Sequence, residues 1–209
     1  MAPQSFRQMA GIPASSVSAS SDSTALLVID AQTSYAQGAP LAISGVDAAQ
    51  AQIAKLVSVF RKAGRAGQIF WIQHSAGVGA PVFDPERSEL FDFMGGDDNL
   101  RPKDGETIIV KKAPSCFTGT DLHELLQKQG TKQLVLTGYM AHVCVTGTAR
   151  SSMEHGYDTV VVRDAIGDRD IPSWKDTAET VRAETLVDTV CTELGDFFAT
   201  IVKTADVKA

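Results

Sequence analysis

The chain has 209 residues, 44% of them hydrophobic and 21% charged, with a formal net charge of −6. That is enough apolar material for one substantial packed domain, and it argues against global disorder. The acidic balance and scattered basic residues argue against a nucleic-acid footprint or a patch for anionic lipid, and no apolar run approaches the ~18–20 residues of a membrane span.

Residues 1–23 are rich in Ser and Ala, hold Arg7 as their one basic residue, and lack the continuous apolar segment of a secretory signal. They read as a flexible arm available for subunit contacts, ahead of a single domain over 24–209. With no leader legible, the cytoplasm is the default expectation, and leaderless export stays open. The thiols Cys116, Cys144 and Cys191 are odd in number and lack CxxC spacing. That argues against a disulfide framework or a zinc cluster and fits reduced thiols in an intracellular protein.

Apolar strand-like runs then alternate with helical patterns. Ala25 to Asp30 is the first strand. Ile53, Leu56, Val57 and Phe60 recur at helical spacing within 46–64, a helix ended by Gly64 and Gly67. Gln68 to Gln73 is the second strand. The Gly/Pro-rich stretch from Ser75 to Asp104 is long for a connection, as lids and binding loops are. Thr107 to Lys111 is the third strand, followed by a helix over 119–129 capped by Thr118 or Thr120. Lys132 to Thr137 is the fourth strand, and a helix over 143–155 carries Cys144. Thr159 to Asp164 is the fifth strand. A helix near 174–189 and a last strand over Phe198 to Val202 close the pattern. No repeat or linker interrupts it. The expected fold is α/β: a Rossmann-like three-layer α/β/α arrangement around a mainly parallel sheet of about six strands, covered on both faces.

Ligands of such sheets bind beyond the carboxyl ends of the strands. Asp30, Lys111 and the Gly138–Cys144 link all fall there. Asp30 can act as general base and then general acid. Lys111 can hold a neighbouring carboxylate and thiolate charged. Cys144 can attack an electrophilic carbon. At a helix N-terminus its thiol would feel the positive end of the helix dipole, which favours the thiolate. Each residue also has a plain reading: a small buried thiol, a capping carboxylate, a solvated lysine beside Lys112. Their coincidence at three strand ends favours one assembled site.

The segments carrying this set are Leu26-Leu27-Val28-Ile29-Asp30-Ala31-Gln32, Val110-Lys111-Lys112-Ala113-Pro114-Ser115-Cys116-Phe117-Thr118-Gly119-Thr120, Thr137-Gly138-Tyr139-Met140-Ala141-His142-Val143-Cys144-Val145 with Thr148-Ala149-Arg150, and Gly156-Tyr157-Asp158 through Asp164-Ala165. Over roughly residues 24–203 the chain resembles the isochorismatase-like cysteine hydrolase superfamily. The resemblance implies Asp30, Lys111 and Cys144 as the triad; counting back from Ser115 selects Lys111 over Lys112. It implies a cis peptide at Tyr139–Met140, an oxyanion hole from the Met140 and Cys144 amides, Gln32 as a buttress of the Asp30 loop, and a homo-oligomer. The arm and residues 171–189 are the candidate contact surfaces.

The substrate reading rests on departures within that group. Where nicotinamidases carry an Asp-x-His metal element, this chain has Gln73 and His74, a poor divalent-metal site. Neither a catalytic metal nor any other cofactor is expected. The Ala141-His142 pair and Gln73 resemble isochorismatases. The leading expectation is therefore a hydrolase cleaving isochorismate to 2,3-dihydro-2,3-dihydroxybenzoate and pyruvate. The first rival is a metal-independent amidase acting on a small amide or carbamoyl compound through a Cys144 thioester. The second is a noncatalytic ligand-binding protein on the same fold. In each case the partner is a small molecule.

Gln32, Gln73, His74, Phe117, Tyr139 and His142 are the candidate substrate contacts. His142 either binds a substrate carboxylate or packs over the site. Trp71 either walls a pocket or belongs to the core. Arg87 either holds a carboxylate or is solvated, and His123 and His155 read as surface residues. Cys116 reads as a packing variant. Gly77-Val78-Gly79 and Gly95-Gly96 do not follow strands, so no dinucleotide fingerprint is present.

Overall fold

The computed structural model describes residues 2–209. Six strands form the central sheet: β1 (Thr24–Ile29), β2 (Ile69–His74), β3 (Thr107–Lys111), β4 (Gln133–Gly138), β5 (Asp158–Ile166) and β6 (Thr200–Val202). All pair in parallel in the order β3-β2-β1-β4-β5-β6. The order reverses between β1 and β4, so the crevice for a ligand opens beyond their carboxyl ends.

The strands are near-continuous apolar runs because both faces of the sheet are covered; every residue of β1 is buried. Alternate residues feed two separate cores. Leu26, Val28, Trp71, Val135, Val160 and Val162 pack with Ile53, Leu56, Val57 and Phe60 of helix α1 (Val46–Lys62). Leu27, Ile29, Phe70, Leu134 and Leu136 pack on the other face. There the partners are Leu122 and Leu126 of α2 (Leu122–Lys128), Ala149 of α3 (Thr146–Glu154), and Val187 and Leu194 of α4 (Ala183–Phe197). No helix among the described residues is long and apolar enough to cross a membrane.

The fold departs from expectation in three places. The stretch read as a flexible arm is laid on the domain. A helical turn over Phe6–Met9 sets Phe6 against Phe197 at 4.9 Å, and Val17–Ser18 pairs in parallel with Val207–Lys208. Ser15 N–H donates to Thr200 Oγ1, and Ser15 Oγ donates to Asp158. The helix expected near 174–189 lies later, at Ala183–Phe197, because the buried positions Val187, Val190, Cys191 and Leu194 set its period. Residues ahead of it form a small antiparallel hairpin of Ile171–Pro172 with Thr180–Val181. Finally, Cys144 precedes its helix: it sits in a π-helical turn over Ala141–Val145 that leads into α3.

One glycine is required by the close approach of β1 and β4 at their carboxyl ends, where Ile29 pairs with Gly138. Gly138 has φ +107°, and a Cβ there would lie 1.9 Å from the Ile29 carbonyl oxygen, a backbone atom that cannot turn aside. Gly138→Ala should therefore cost about 4 kcal/mol or more, read as a thermal midpoint lower by ~10 °C or loss of soluble protein.

Candidate active site

Asp30 follows the last residue of β1, and its backbone takes the left-handed region at φ 51°. Asp tolerates that conformation better than most residues, though it remains uncommon outside glycine. It is held by Asp30 N–H to the Ile72 carbonyl at 3.0 Å and by Gln32 N–H to the Asp30 carbonyl at 2.7 Å. Gln32 locks the loop from below: its Oε1 accepts from His74 N–H at 2.7 Å, and its Nε2 donates to the carbonyls of His74 and Phe91. Both ends of its side chain are thereby engaged, so Gln32 acts as the expected buttress. Gln73 likewise gives its amide to the Phe91 carbonyl.

Lys111 ends β3 and is 1% exposed, against 0% for Asp30 and 5% for Cys144. Its Nζ lies 2.8 Å from Asp30 Oδ2, 3.2 Å from Cys144 Sγ, 3.1 Å from His74 Nδ1 and 3.1 Å from the Ala113 carbonyl oxygen. The three strand-end residues thus meet at one point. The Asp30 contact is an ion pair without the alignment of a directed hydrogen bond, and neither carboxylate oxygen has an aligned donor. Asp30, His74 and Cys144 offer ligand atoms within 4.8 Å of one another. The ammonium already stands among them as the positive charge.

Burial dominates the proton affinities. It pushes Asp30 above the ordinary carboxyl value, more than the charge of Lys111 and the close approach of Lys111 and Cys144 pull it down. For Lys111, burial alone would favour the neutral amine, but the nearby Asp30 foremost outweighs it and raises the proton affinity of the amine. Burial and then Lys111 lower His74, so a neutral imidazole accepts from the ammonium. Cys144 is pushed far up by burial and the Asp30 charge, with Lys111 opposing. Burial thus opposes the thiolate that the helix end would favour. Cys116, buried against Thr148, is raised to about 12 by the same desolvation.

The turn bearing Cys144 is clamped from β5. The Tyr139–Met140 peptide is cis, as the resemblance implied. Ala141 N–H donates to the Gly167 carbonyl at 2.9 Å, and Gly167 N–H donates to the Gly138 carbonyl at 3.2 Å. Asp168, buried, takes both His142 N–H at 3.0 Å and the His142 ring at Nδ1, 2.7 Å away. That contact sets the Nδ1–H tautomer and leaves Nε2 as the free position of a half-buried ring. Met140 N–H has no backbone partner.

Several candidates lie elsewhere. Phe117 stacks on His155 at 4.6 Å and on Tyr157, in a cluster completed by His123, whose Nδ1 is 2.9 Å from the Tyr157 hydroxyl. Arg87 is exposed and paired with Glu89. Trp71 is a core residue whose Nε1–H donates to Glu106. Tyr139 is buried and its hydroxyl is sealed without a partner. Conversely, Asp168, Arg169, Tyr35 and Phe83 were missed. Asp168 and Arg169 become strand-end residues once β5 is seen to run to Ile166 rather than Asp164. No motif marked Tyr35 or Phe83.

Buried Asp, Lys and Cys thus meet at the switch point of a doubly wound α/β sheet, and sequence comparison gives the family. The description "Isochorismatase domain" matches residues 24–194. The chain belongs to the isochorismatase family. It is 40% identical to the secreted isochorismatase effector Isc1 of Verticillium dahliae, over 97% of this chain and 98% of that protein. It is 35% identical to the maleamate amidohydrolase of Pseudomonas putida, over 69% of this chain and 72% of that protein. The crystal structure of an isochorismatase from Pseudomonas putida KT2440 superposes with a TM-score of 0.86 at 31% identity, covering 99% of this chain and 100% of that one.

The proton inventory is testable by alkylation. Iodoacetamide labelling of Cys144, followed by peptide mass against pH, should rise only at pH values more alkaline than the ~8.5 of a free cysteine. A midpoint at or below that value contradicts a resting thiol.

Proposed function

We propose that this isochorismatase-family hydrolase cleaves the enol ether of isochorismate, releasing pyruvate and 2,3-dihydro-2,3-dihydroxybenzoate. The observation that carries this reading is Asp30: a sealed carboxyl with raised proton affinity and no aligned donor on either oxygen. Such a group holds a proton at higher pH than an ordinary carboxyl and can deliver it. Protonation of the terminal vinyl carbon leaves an oxocarbenium ion. Water adds to the oxygen-bearing carbon of that cation, giving its proton back to Asp30, and the hemiketal collapses to the alcohol and pyruvate. Lys111, 2.8 Å away, stabilises the Asp30 anion between the two proton transfers. The full-length likeness to a protein named as a secreted isochorismatase effector supports the same substrate. It also favours export over the cytoplasmic default.

Arg169 lies beside this turn: its backbone N–H donates to the Asp168 carboxylate that clamps the Cys144 turn, its Nη1 donates to the Asp170 carbonyl, and its Nε is sealed without a partner.

A second reading has its own observation: Cys144 Sγ lies 3.2 Å from Lys111 Nζ, beside Asp30. In amide hydrolysis the thiol proton passes to Asp30 as sulfur attacks the carbonyl. The Met140 and Cys144 amides face the oxyanion, and the Asp30 proton leaves with the amine. Water then hydrolyses the thioester with Asp30 as base. The likeness to an amidohydrolase of maleamate supports this route.

Two variants separate the readings. Asp30→Asn should reduce turnover of either substrate class by at least about a hundredfold. Cys144→Ala should abolish maleamate hydrolysis while leaving isochorismate cleavage within about tenfold of the unmodified protein. Isochorismate kcat should also fall as pH rises through the raised Asp30 pKa, because the protonated carboxyl is the acid. Loss of isochorismate cleavage in Cys144→Ala, with native folding, contradicts the enol-ether reading.

A further inference from the structure

Two consecutive amides of the turn Ala141–Val145 are held from outside it, by two consecutive residues just beyond β5. Ala141 N–H donates to the Gly167 carbonyl at 2.9 Å, and His142 N–H donates to Asp168 Oδ2 at 3.0 Å. Val143 and Val145 N–H turn inward instead, both donating to the Met140 carbonyl. The Gly167 anchor is backbone and exists with any residue at that position. The Asp168 anchor is a side chain, so the residue at 168 decides whether it exists. Two residues on from His142, Cys144 Sγ stands 3.2 Å from Lys111 Nζ.

The Asp168 carboxylate suits that task. It is 1% exposed. Oδ2 takes the ring Nδ1 of His142 at 2.7 Å as well as its backbone amide, and Oδ1 accepts from Arg169 N–H at 2.9 Å. A buried carboxylate is costly unless donors surround it, as they do here. Its own place is fixed from the far side. Ser44 N–H donates to the Asp168 carbonyl at 3.0 Å. Gly167 is packed so closely that a Cβ there would lie 2.7 Å from Ile43 Cγ2 and 2.9 Å from Tyr139 Cε1. A clamp seated this firmly imposes its position on the turn.

We infer that Asp168 is a positioning residue for Cys144: by holding the His142 amide, its carboxylate fixes the turn that sets Sγ beside Lys111. The inference deepens the amide route and rests on the proposed division of labour, in which Asp30 and Lys111 carry enol-ether cleavage without the thiol. Asp168 bonds to the turn and to its own chain neighbour, not to Asp30 or Lys111. Amide hydrolysis is therefore the more sensitive reaction, since a misplaced oxyanion donor costs about 10²–10³ in kcat.

The test is Asp168→Asn, which keeps the shape but leaves one acceptor oxygen, with Asp168→Ser as a second variant free of any donor–donor clash. Cys116, Cys144 and Cys191 fall on separate tryptic peptides, so iodoacetamide labelling at about pH 8, just below the free-cysteine value, reads each thiol by mass. Cys144 should label at least about tenfold faster in the variants while Cys116 and Cys191 keep their rates, as a local loosening requires. Maleamate kcat should fall at least about a hundredfold with KM within about threefold, and isochorismate kcat should stay within about tenfold. An unchanged or slower Cys144 rate in a folded variant overturns the inference and leaves the proposed function standing. Parallel acceleration at all three thiols, or failure of both variants to give soluble protein, also overturns it, because Asp168 then serves the fold as a whole. Selective labelling of Cys144 with both reactions lost together supports the positioning role and overturns the division of labour. No turnover of either substrate by the unmodified protein overturns the proposed function, and the labelling pattern then decides the role of Asp168 alone.

Discussion

One buried ammonium organises this site. Lys111 Nζ is in contact with a carboxylate, a thiol, an imidazole and a backbone carbonyl, all within 3.2 Å. A charge so placed is tolerable only because it is compensated. Removing Lys111 would leave Asp30 with no counter-charge, and the carboxyl would simply keep its proton. The lysine therefore governs which states Asp30 can visit. It also explains why burial does not silence the site. Burial raises the proton affinity of the carboxyl, while the ammonium at 2.8 Å favours its anion.

That arrangement depends on three strand ends being brought to within bonding distance. Gly138 allows β4 to approach the Ile29 carbonyl more closely than any side chain would permit. The register of β5 shifts between Leu136 and Gly138 on its β4 partner. The extended course of β5 then delivers Gly167 and Asp168 to the turn bearing Cys144. On the other flank, Gln32 joins the Asp30 loop to the end of β2. The Gly138 approach is made by backbone alone, while Gln32 and Asp168 clamp through side chains that bind backbone amides and carbonyls of their neighbours.

Much of this was legible in the residues. Asp30, Lys111 and Cys144 each end a strand, and strand ends in a parallel sheet point to one crevice, so their meeting follows from the alternation alone. What escaped was set by contacts with no local period. The Ser/Ala-rich N-terminal stretch owes its place to Phe6 on Phe197 and to a two-residue pairing with Val207–Lys208. The residues after β5 include Pro172 and a turn through Asp176, so they make a hairpin. The α4 period starts only at Ala183. A helix-end argument for Cys144 counts dipoles but not desolvation, and desolvation raises the proton affinity of this buried thiol.

The measurement that bears most directly on this account is an infrared difference titration of the Asp30 carboxyl, unmodified protein minus Asp30→Asn. A protonated-carboxyl C=O band that persists well above the ordinary aspartate pKa of 3.8, and persists further in Lys111→Met, is the predicted result. A band that disappears at or below that value would contradict it, because Asp30 would then rest as a carboxylate with no proton to give.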